Sequence, residues 1–387
     1  MVKATHSFFD KNFKLGILGG GQLGRMLIQS AIDFNLNIKI LDPDPEAPCK
    51  TLANEFVVGK LTDFETVYKF GKDLDVLTIE IENVNIEALK KLRDEGVNVF
   101  PQPEAIELIQ DKRKQKQFYK ENNIPTSDFI LIDNVDDLNN YEHFLPAFQK
   151  LGKEGYDGRG VQKISNKNDF AKAFSAPSLL EKAIDFEKEI AVIVARNAKG
   201  EISLFPPVEM VFHPTKFLVE YLLSPAQVSN DIILQANDIA RNIIEKLNMK
   251  GILAVEMFVT KDGKVLVNEI APRPHNSGHQ TIKANFTSQY EQHLRAILNL
   301  PMGDTRSHTL SAMVNLLGAE GFEGNAVYEG MDEILSMQGV YPHLYGKINT
   351  KPFRKMGHIT ILENDLELLK KKVFEVKEKI RVISDKN

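Results

Sequence analysis

Tryptophan is absent from the 387-residue chain, and cysteine occurs once, at Cys49. A single cysteine excludes a disulfide framework and a cysteine-rich zinc site, and it fits a reducing compartment, so a cytoplasmic protein is expected. Long apolar runs are also missing. No stretch reaches the roughly 18–20 residues of a membrane span, and Met1 to Lys14 has no apolar segment of the secretory kind. Basic charge is not in excess either: 48 Lys and Arg stand against 53 Asp and Glu, a net charge of −5. A protein that coats nucleic acid needs a basic surface to displace counterions, so no such partner is expected. Any anionic ligand must then be held by a local cluster of Lys and Arg. Repeats and low-complexity tracts are lacking as well.

What remains is an ordinary globular composition, 43% hydrophobic and 26% charged, long enough for two or three domains at ~150 residues each. The N-terminal part alternates strand and helix patterns, which predicts a mostly parallel α/β sheet. Leu15, Ile17 and Leu18 form a buried strand; Leu23, Met26, Leu27, Ala31 and Phe34 recur at helical spacing; Ile38 to Leu41 is the next strand. Asp42-Pro43-Asp44-Pro45 is a loop, because each proline bars helix from the residue before it. Val76 to Ile81 and Val97 to Phe100 read as strands, and Asn85 to Glu95 as helix. A basic helix is predicted over Glu104 to Glu121, ending before Ile124-Pro125-Thr126. Further on, Ile232, Ala236, Ile239, Ile243 and Leu247 line one face of a long helix. Leu300 to Gly303 reads as a linker, followed by a few strands and an amphipathic helix over Leu366 to Ile380.

Five groups of residues bear on chemistry. Gly19-Gly20-Gly21-Gln22-Leu23-Gly24 lies between strand and helix, with Asp42 placed 18 residues after Gly24. That is nominally a dinucleotide fingerprint, though a glycine turn that only packs strand on helix has the same form. Gly155-Tyr156-Asp157-Gly158-Arg159-Gly160 is a glycine-rich loop suited to phosphates, with Lys150 at the end of a strand over Leu145 to Lys150. Ile252–Thr260 and Val265–Ile270 flank Asp262-Gly263, a two-residue hairpin signal. Counted outward from Lys261 facing Lys264, this register sets Glu256 opposite Glu269. Two carboxylates across a ladder repel unless a cation bridges them, and hard oxygen donors suit Mg²⁺. Alternation puts Asn268 on the other face unless the strand twists. Next, Arg273, His275, Asn276 and Ser277 place four polar side chains in five positions, a cradle for a small oxyanion. Lys347, Arg354 and Lys355 form a short basic cluster that ends in Gly357-His358, while His6, His143, His293, His308 and His343 stand alone.

In this order the motifs resemble those of ATP-grasp ligases, and more narrowly the N5-carboxyaminoimidazole ribonucleotide synthases. The resemblance rests on Gly19 to Met26, on Gly155 to Gly160, and on Asn268 to His279, and it spans nearly the whole chain. It implies mixed α/β and α+β architecture in three parts: a Rossmann-like pre-ATP-grasp domain over 1–111, a two-lobed ATP-grasp domain over 112–305, and a small β-rich C-terminal domain over 306–387. It also implies a homodimer, with ATP and Mg²⁺ as cofactors. The implied activity is the ATP- and bicarbonate-dependent carboxylation of 5-aminoimidazole ribonucleotide, through carboxyphosphate.

The resemblance assigns residues too. Lys112 and Lys150 match the basic residues on the ATP phosphates, and Gly155 to Gly160 the loop above them. Glu181 to Ile184 match the segment that meets the adenine, Glu189 the ribose carboxylate, and Asn268 a further ATP contact. Glu256 and Glu269 match the Mg²⁺ ligands, in agreement with the hairpin count. Arg273, His275 and Asn276 match the residues around bicarbonate and carboxyphosphate. Gln22, Leu23, Glu80, Tyr156, Asp157, Arg159, Lys347 and Arg354 match the ribonucleotide pocket. On this reading the glycine turn seats a ribonucleotide and Asp42 only orders a loop. The chain departs from the family pattern in Glu154 before Gly155, in Lys112 where arginine is usual, and in His213, which matches a phosphate-side histidine only after a one-residue shift. Two rivals remain. A formate-dependent glycinamide ribonucleotide transformylase shares the glycine turn and Pro272 to His275. An NAD-dependent dehydrogenase would use the turn and Asp42, but leaves the paired glutamates unexplained. A regulatory subunit that binds ATP without turnover is disfavoured by the full set of metal and oxyanion residues.

Overall fold

The computed structural model describes residues 8–153, 160–212 and 219–385. Strands β1 (Lys14–Leu18), β2 (Asn37–Asp42), β3 (Glu55–Val58), β4 (Val76–Ile79) and β5 (Asn98–Val99) form a wholly parallel sheet in the order β3-β2-β1-β4-β5. Helices α1 (Gln22–Asp33), α2 (Phe64–Gly71) and α3 (Ile86–Asp94) cover it. Leu15, Ile17, Leu18 and Leu77 are fully buried, as strands covered on both faces require. The strand order reverses between β1 and β4. Such a reversal opens a crevice beyond the carboxyl ends of the two strands, and here it brings the glycine turn after β1 to Glu80 after β4.

The basic helix expected over Glu104 to Glu121 is two helices, α4 (Pro103–Ile109) and α5 (Lys112–Glu121). Asp111 breaks it, because its carboxylate accepts from the Arg113 N–H at 2.9 Å and caps a new helix start. The break sets Lys112 in the first turn of α5 and Lys116 one turn later on the same face.

A small antiparallel sheet follows, made of β6 (Phe129–Ile132), β7 (Ala147–Leu151), β8 (Val161–Ile164) and β9 (Ser178–Lys182) in the order β6-β9-β7-β8. A larger sheet opens with β10 (Phe186–Arg196), β11 (Ile202–Leu204), β12 (Val208–Phe212), β13 (Val219–Ser224), β14 (Gly251–Thr260) and β15 (Val265–Ala271). Helix α6 (Asn230–Lys246), capped by Ser229, lies under it. Ile232, Ala236, Ala240, Ile243 and Ile244 of α6 pack on Ile190, Val192, Val255, Met257 and Val267. The stripe sits slightly to one side of the expected one, since Ile239 and Leu247 reach only its edge. Short α7 (Thr281–Ala284) and α8 (Gln289–Ile297) come next.

The C-terminal part contains β16 (Leu310–Leu317), β17 (Gly324–Glu329), α9 (Met331–Ser336), β18 (Val340–Leu344), β19 (Asn349–Thr350), β20 (Lys355–Glu363), α10 (Leu366–Lys379) and β21 (Arg381–Ser384). Its strands are shared out. β16 pairs with β13, so β16, β20 and β18 extend the large sheet, while β19, β17 and β21 form a sheet of three. Leu369, Val373 and Val376 of α10 close the core over β16 and β20. Among the described residues no helix is long and apolar enough to cross a membrane.

Ile243 is fully buried between α6 and the large sheet. Ile243→Ala should therefore cost about 2–5 kcal/mol of stability. The expected readout is a lower denaturation midpoint with an unchanged far-UV circular dichroism spectrum before the transition.

Candidate active site

The glycine turn is already filled from within. Glu80 accepts from the Gly21 N–H at 2.7 Å and from the Gly24 N–H through its other oxygen. Asp42 accepts from Gly20 at 2.6 Å and from Asp44 at 2.8 Å. A Cβ on Gly21 would lie 2.4 Å from the Glu80 carboxylate, so only glycine admits this approach. The N–H groups that would cradle a pyrophosphate thus hold the protein's own carboxylates, and the dinucleotide reading fails on this contact. Asp42 is a loop-ordering residue, as the resemblance implies.

The β14–β15 hairpin pairs Glu256 with Glu269, but by a route other than the simple count. The turn is one residue longer than expected: Val259 pairs with Val265, and the Thr260 N–H donates to the Lys264 carbonyl at 2.9 Å. Gly263 takes φ +78 there. A bulge at Asn268 then restores the register, because Met257 pairs with Val267 and Glu256 with Glu269. The bulge corrects the expected facing of Asn268. Its side chain lies on the carboxylate side, where its Oδ1 accepts from Lys150 at 3.1 Å and its amide bonds Glu189. Ala191 of β10 pairs with Glu256 and Glu189 lies two residues away, so three carboxylates share one face of the sheet.

Facing them is a ladder of alternating charge. Lys116 donates to Glu181 at 2.8 Å, to Thr126 Oγ1 at 2.5 Å and to Ser127 Oγ at 3.2 Å. Ser127 also donates to Glu181, and Lys150 pairs with the second Glu181 oxygen at 2.8 Å. Lys112 meets Glu269 at 2.5 Å. Lys116 and Glu181 are both almost wholly buried. Burial pushes the Lys116 ammonium down to about 8, with Glu181 opposing it. Burial also works against ionised Glu181, but the two lysines win and hold it at about 2. Lys112 keeps Glu269 ionised, at about 2. Glu189 goes the other way: burial, then the Glu269 charge, raise it to about 8. The same causes, joined by Glu189, push Glu256 well above the usual range.

His275 Nε2 lies 3.2 Å from Glu256, and Arg273 Nε lies 2.9 Å from Glu82 of the N-terminal part. Asn276 Oδ1 is buried with no hydrogen-bond partner among the described residues. From the C-terminal part, Lys347 donates to Gln22 Oε1 and to the Lys355 carbonyl, both at 2.6 Å. Leu23 sits beside Gln22 at the start of α1, whereas Arg354 lies at the exposed edge, donating to the Asn349 carbonyl at 2.7 Å. Ile184 lies between β9 and β10, where the two sheets join. Gly155, Tyr156, Asp157, Gly158, Arg159 and His213 lie outside the described residues; Gly160 is described and accepts from the Leu151 N–H at 2.9 Å.

The histidines divide. His293 is a buried core residue, with Nε2 on Thr78 Oγ1 at 2.9 Å, but it is only half satisfied, because Nδ1 has no hydrogen-bond partner among the described residues. His343 does not stand alone: its ring stacks on His358 at 4.7 Å, and His358 stacks on His279 at 4.8 Å. The stack also removes His358 from the basic cluster, because its Nδ1 meets the Tyr345 hydroxyl at 3.0 Å in the core. Sequence reasoning missed Lys116 and Glu82. Lys116 carried a usable signal, its four-residue spacing from Lys112. Glu82 carried none.

A small antiparallel sheet set against a large one, with lysines on one side and carboxylates on the other, is the arrangement of ATP-grasp proteins. Three family descriptions match along the chain: a ribonucleotide synthetase preATP-grasp domain at residues 13–110, an ATP-grasp domain at 117–290, and a phosphoribosylaminoimidazole carboxylase C-terminal domain at 311–372. N5-carboxyaminoimidazole ribonucleotide synthase of Bacillus subtilis is 37% identical over 90% of this chain and 91% of its own. The crystal structure of the synthetase from Thermotoga maritima superposes with a TM-score of 0.90 at 41% identity, covering 96% of this chain and all of that one. The synthase of Aspergillus clavatus in complex with ADP and 5-aminoimidazole ribonucleotide superposes at 0.85 with 32% identity, over 95% and 98% of the chains. The chain belongs to the N5-carboxyaminoimidazole ribonucleotide synthase family. It spans 64% of the chloroplastic phosphoribosylaminoimidazole carboxylase of Vigna aconitifolia, to which it is 38% identical over 91% of its own length.

The raised carboxyl of Glu189 sets a sign for stability. Folded protein holds that proton up to about 8, while the unfolded chain releases it near the ordinary 4.5. Between these values the folded state binds more protons, so this group makes stability fall as pH rises. Glu189→Gln removes the effect. In the ligand-free protein its melting temperature should gain on that of wild type steadily from about pH 5 to about pH 8. A difference that stays constant across this range would contradict the assignment.

Proposed function

We propose that this protein carboxylates 5-aminoimidazole ribonucleotide to N5-carboxyaminoimidazole ribonucleotide, using ATP and bicarbonate, in de novo purine biosynthesis. The observation that carries the reading is the Glu256–Glu269 pair set against Lys112 and Lys150. Bicarbonate oxygen attacks the γ-phosphorus of ATP, giving carboxyphosphate and ADP. The amine of the ribonucleotide then takes the carboxyl carbon, and inorganic phosphate leaves. Lys112 and Lys150 counter the phosphate charge, so the step rests on positioning and electrostatics.

The residues fit Mg²⁺. Glu256 and Glu269 are hard oxygen donors, and burial, then the Glu269 and Glu189 charges, favour the neutral form of Glu256. The described residues contain no group of three or more metal-binding side chains. Two carboxylates suffice for Mg²⁺, because phosphate oxygens and water complete its shell. Bound there, the ion would neutralise charge on the transferred phosphoryl group.

Arg273 and His275 hold the carboxyl unit, and the unpartnered Asn276 Oδ1 accepts from a ligand O–H or N–H. Glu189 takes the ribose, with Glu181 to Ile184 and Asn268 completing the ATP site. Gln22, Leu23 and Lys347, which converge from the two ends of the chain, support the ribonucleotide pocket. Glu80 reaches it through the glycine turn. Tyr156, Asp157, Arg159 and Arg354 are assigned to it by family resemblance, as is His213 to the phosphates. The division into 1–111, 112–305 and 306–387, a homodimeric state and a cytoplasmic location belong to the same reading, the last supported by the lone buried Cys49.

ADP release with Mg-ATP and bicarbonate should rise strongly on adding 5-aminoimidazole ribonucleotide. Stimulation by formate plus glycinamide ribonucleotide instead would establish the transformylase alternative. Glu269→Gln should lower turnover at least a hundredfold with an unchanged circular dichroism spectrum; near-wild-type turnover would remove Glu269 from the metal site.

A further inference from the structure

Gln289, the first residue of α8, is completely buried. Its side-chain carbonyl accepts from the His275 N–H at 2.9 Å, and its amide donates to the His275 carbonyl at 2.8 Å. One amide therefore satisfies both main-chain polar groups of a single residue, as a neighbouring strand would. His275 needs such a partner, because it lies beyond the end of the β15 ladder.

Gln289 is fixed in turn. Its own N–H donates to Thr281 Oγ1 at 2.9 Å, and that hydroxyl donates to the Gly278 carbonyl at 2.5 Å. A Cβ on Gly278 would come within 2.5 Å of the Gln289 carbonyl oxygen and 2.2 Å of Ile193, so glycine is what lets the amide close on His275. The imidazole is oriented as well. The Ser277 N–H donates to Nδ1 at 3.3 Å, with the Ser277 hydroxyl at 2.9 Å. Nδ1 is then the acceptor, which leaves Nε2 protonated and facing Glu256 at 3.2 Å.

We propose that Gln289 is a positioning residue for the carboxyl-transfer chemistry: it holds the main chain of His275 on both sides, so that the imidazole faces Glu256 and the oxyanion cradle keeps its shape. The inference rests on the assignment of His275 to the carboxyl unit. Among the described residues outside α8, the hydrogen bonds of Gln289 run to His275, Thr281 and His279 and to no member of the lysine–carboxylate ladder, so the effect belongs to turnover and not to nucleotide affinity. A misplacement of about 1 Å at a reacting group can cost roughly a hundredfold in rate.

Two substitutions test it. Gln289→Met keeps the length and loses both hydrogen bonds. Its kcat should fall at least tenfold, with the KM for ATP within twofold of wild type. Gln289→Glu is the conservative rescue. A protonated carboxyl can accept from the His275 N–H and donate to its carbonyl, whereas an ionised one can only accept and repels the carbonyl. Burial favours the protonated form. The titratable groups around this position are His275, His279 at 3.3 Å from the Gln289 amide, Tyr290, and Glu256 beyond His275. All are common to variant and wild type, so the ratio of their kcat values isolates the new carboxyl. That ratio should approach one near about pH 6 and drop at least tenfold by about pH 9. A ratio independent of pH, or wild-type kcat in Gln289→Met, would overturn the inference and leave Gln289 as packing. Should Gln289→Met not fold, the pH dependence of Gln289→Glu decides alone. His275→Ala separates the two levels. Unimpaired turnover in that variant sinks the reading of the site, while loss of turnover there with wild-type behaviour of both Gln289 variants sinks only this inference.

Discussion

Glu181, buried between Lys116 and Lys150, is the contact on which the site depends. Each ion of the set is costly to bury alone, and removing one partner of such a pair typically costs roughly 3–5 kcal/mol. The three therefore stand or fall together. They come from three elements: Lys116 from α5, Glu181 from β9 and Lys150 from β7. Lys150 carries the chain onward to Asn268 and Glu189 in the other sheet. The small sheet is thus tied to the large one by charge, with no strand shared between them. Charged pairing of this kind lines the junction of the sheets with polar groups, which a polyanionic nucleotide needs and an apolar interface would not supply.

The bulge at Asn268 gives this arrangement its chemistry. In a regular ladder Asn268 and Glu269 would face opposite sides. The extra residue turns both toward the carboxylate face, so that one dipeptide supplies a bridge to Lys150 and a carboxylate opposite Glu256. Thr126 and Pro125 hold the bulge from the side: Thr126 Oγ1 donates to the Val267 carbonyl at 2.6 Å, and the Val267 N–H donates to the Pro125 carbonyl at 2.8 Å. Thr126 also accepts from Lys116, so the bulge and the ion cluster share a wall.

The parts legible in the sequence were those carried by local rules. Parallel α/β order followed from alternating periods, the long helix from its apolar stripe, and the carboxylate pair from hairpin logic. That last success came from two deviations that cancel. The turn gained a residue, the bulge absorbed it, and Glu256 met Glu269 in the expected register for a reason the count did not contain. The helix break at Asp111 was legible in principle, since aspartate is a good N-cap, but it was masked by the continuous basic run on either side. Long-range contacts left no local trace. Nothing near Glu80 indicates that it will cap α1, and nothing near His343 predicts a stack with His279 and His358. These depend on which elements the fold brings together, a property of the whole chain.

The glycine turn shows how one local motif can be put to another use by a single distant residue. Gly19 to Gly24 has the backbone freedom and the helix start that favour an anion. In this fold the anion is internal, supplied by Glu80 at the end of the neighbouring strand. With those N–H groups occupied, α1 presents the side chain of Gln22 instead, and Lys347 reaches it from the far end of the sequence. Burial of Glu80 raises its carboxyl above the usual range, with the Gly24 and Gly21 N–H groups and Arg273 acting the other way. Arg273 in turn sits on Glu82, two residues beyond Glu80. The segment after β4 therefore touches the glycine turn with one carboxylate and the oxyanion cradle with the next. A ligand lying between cradle and turn would be framed by all three parts of the chain, and the occupied glycine turn would meet it with side chains and not with backbone amides.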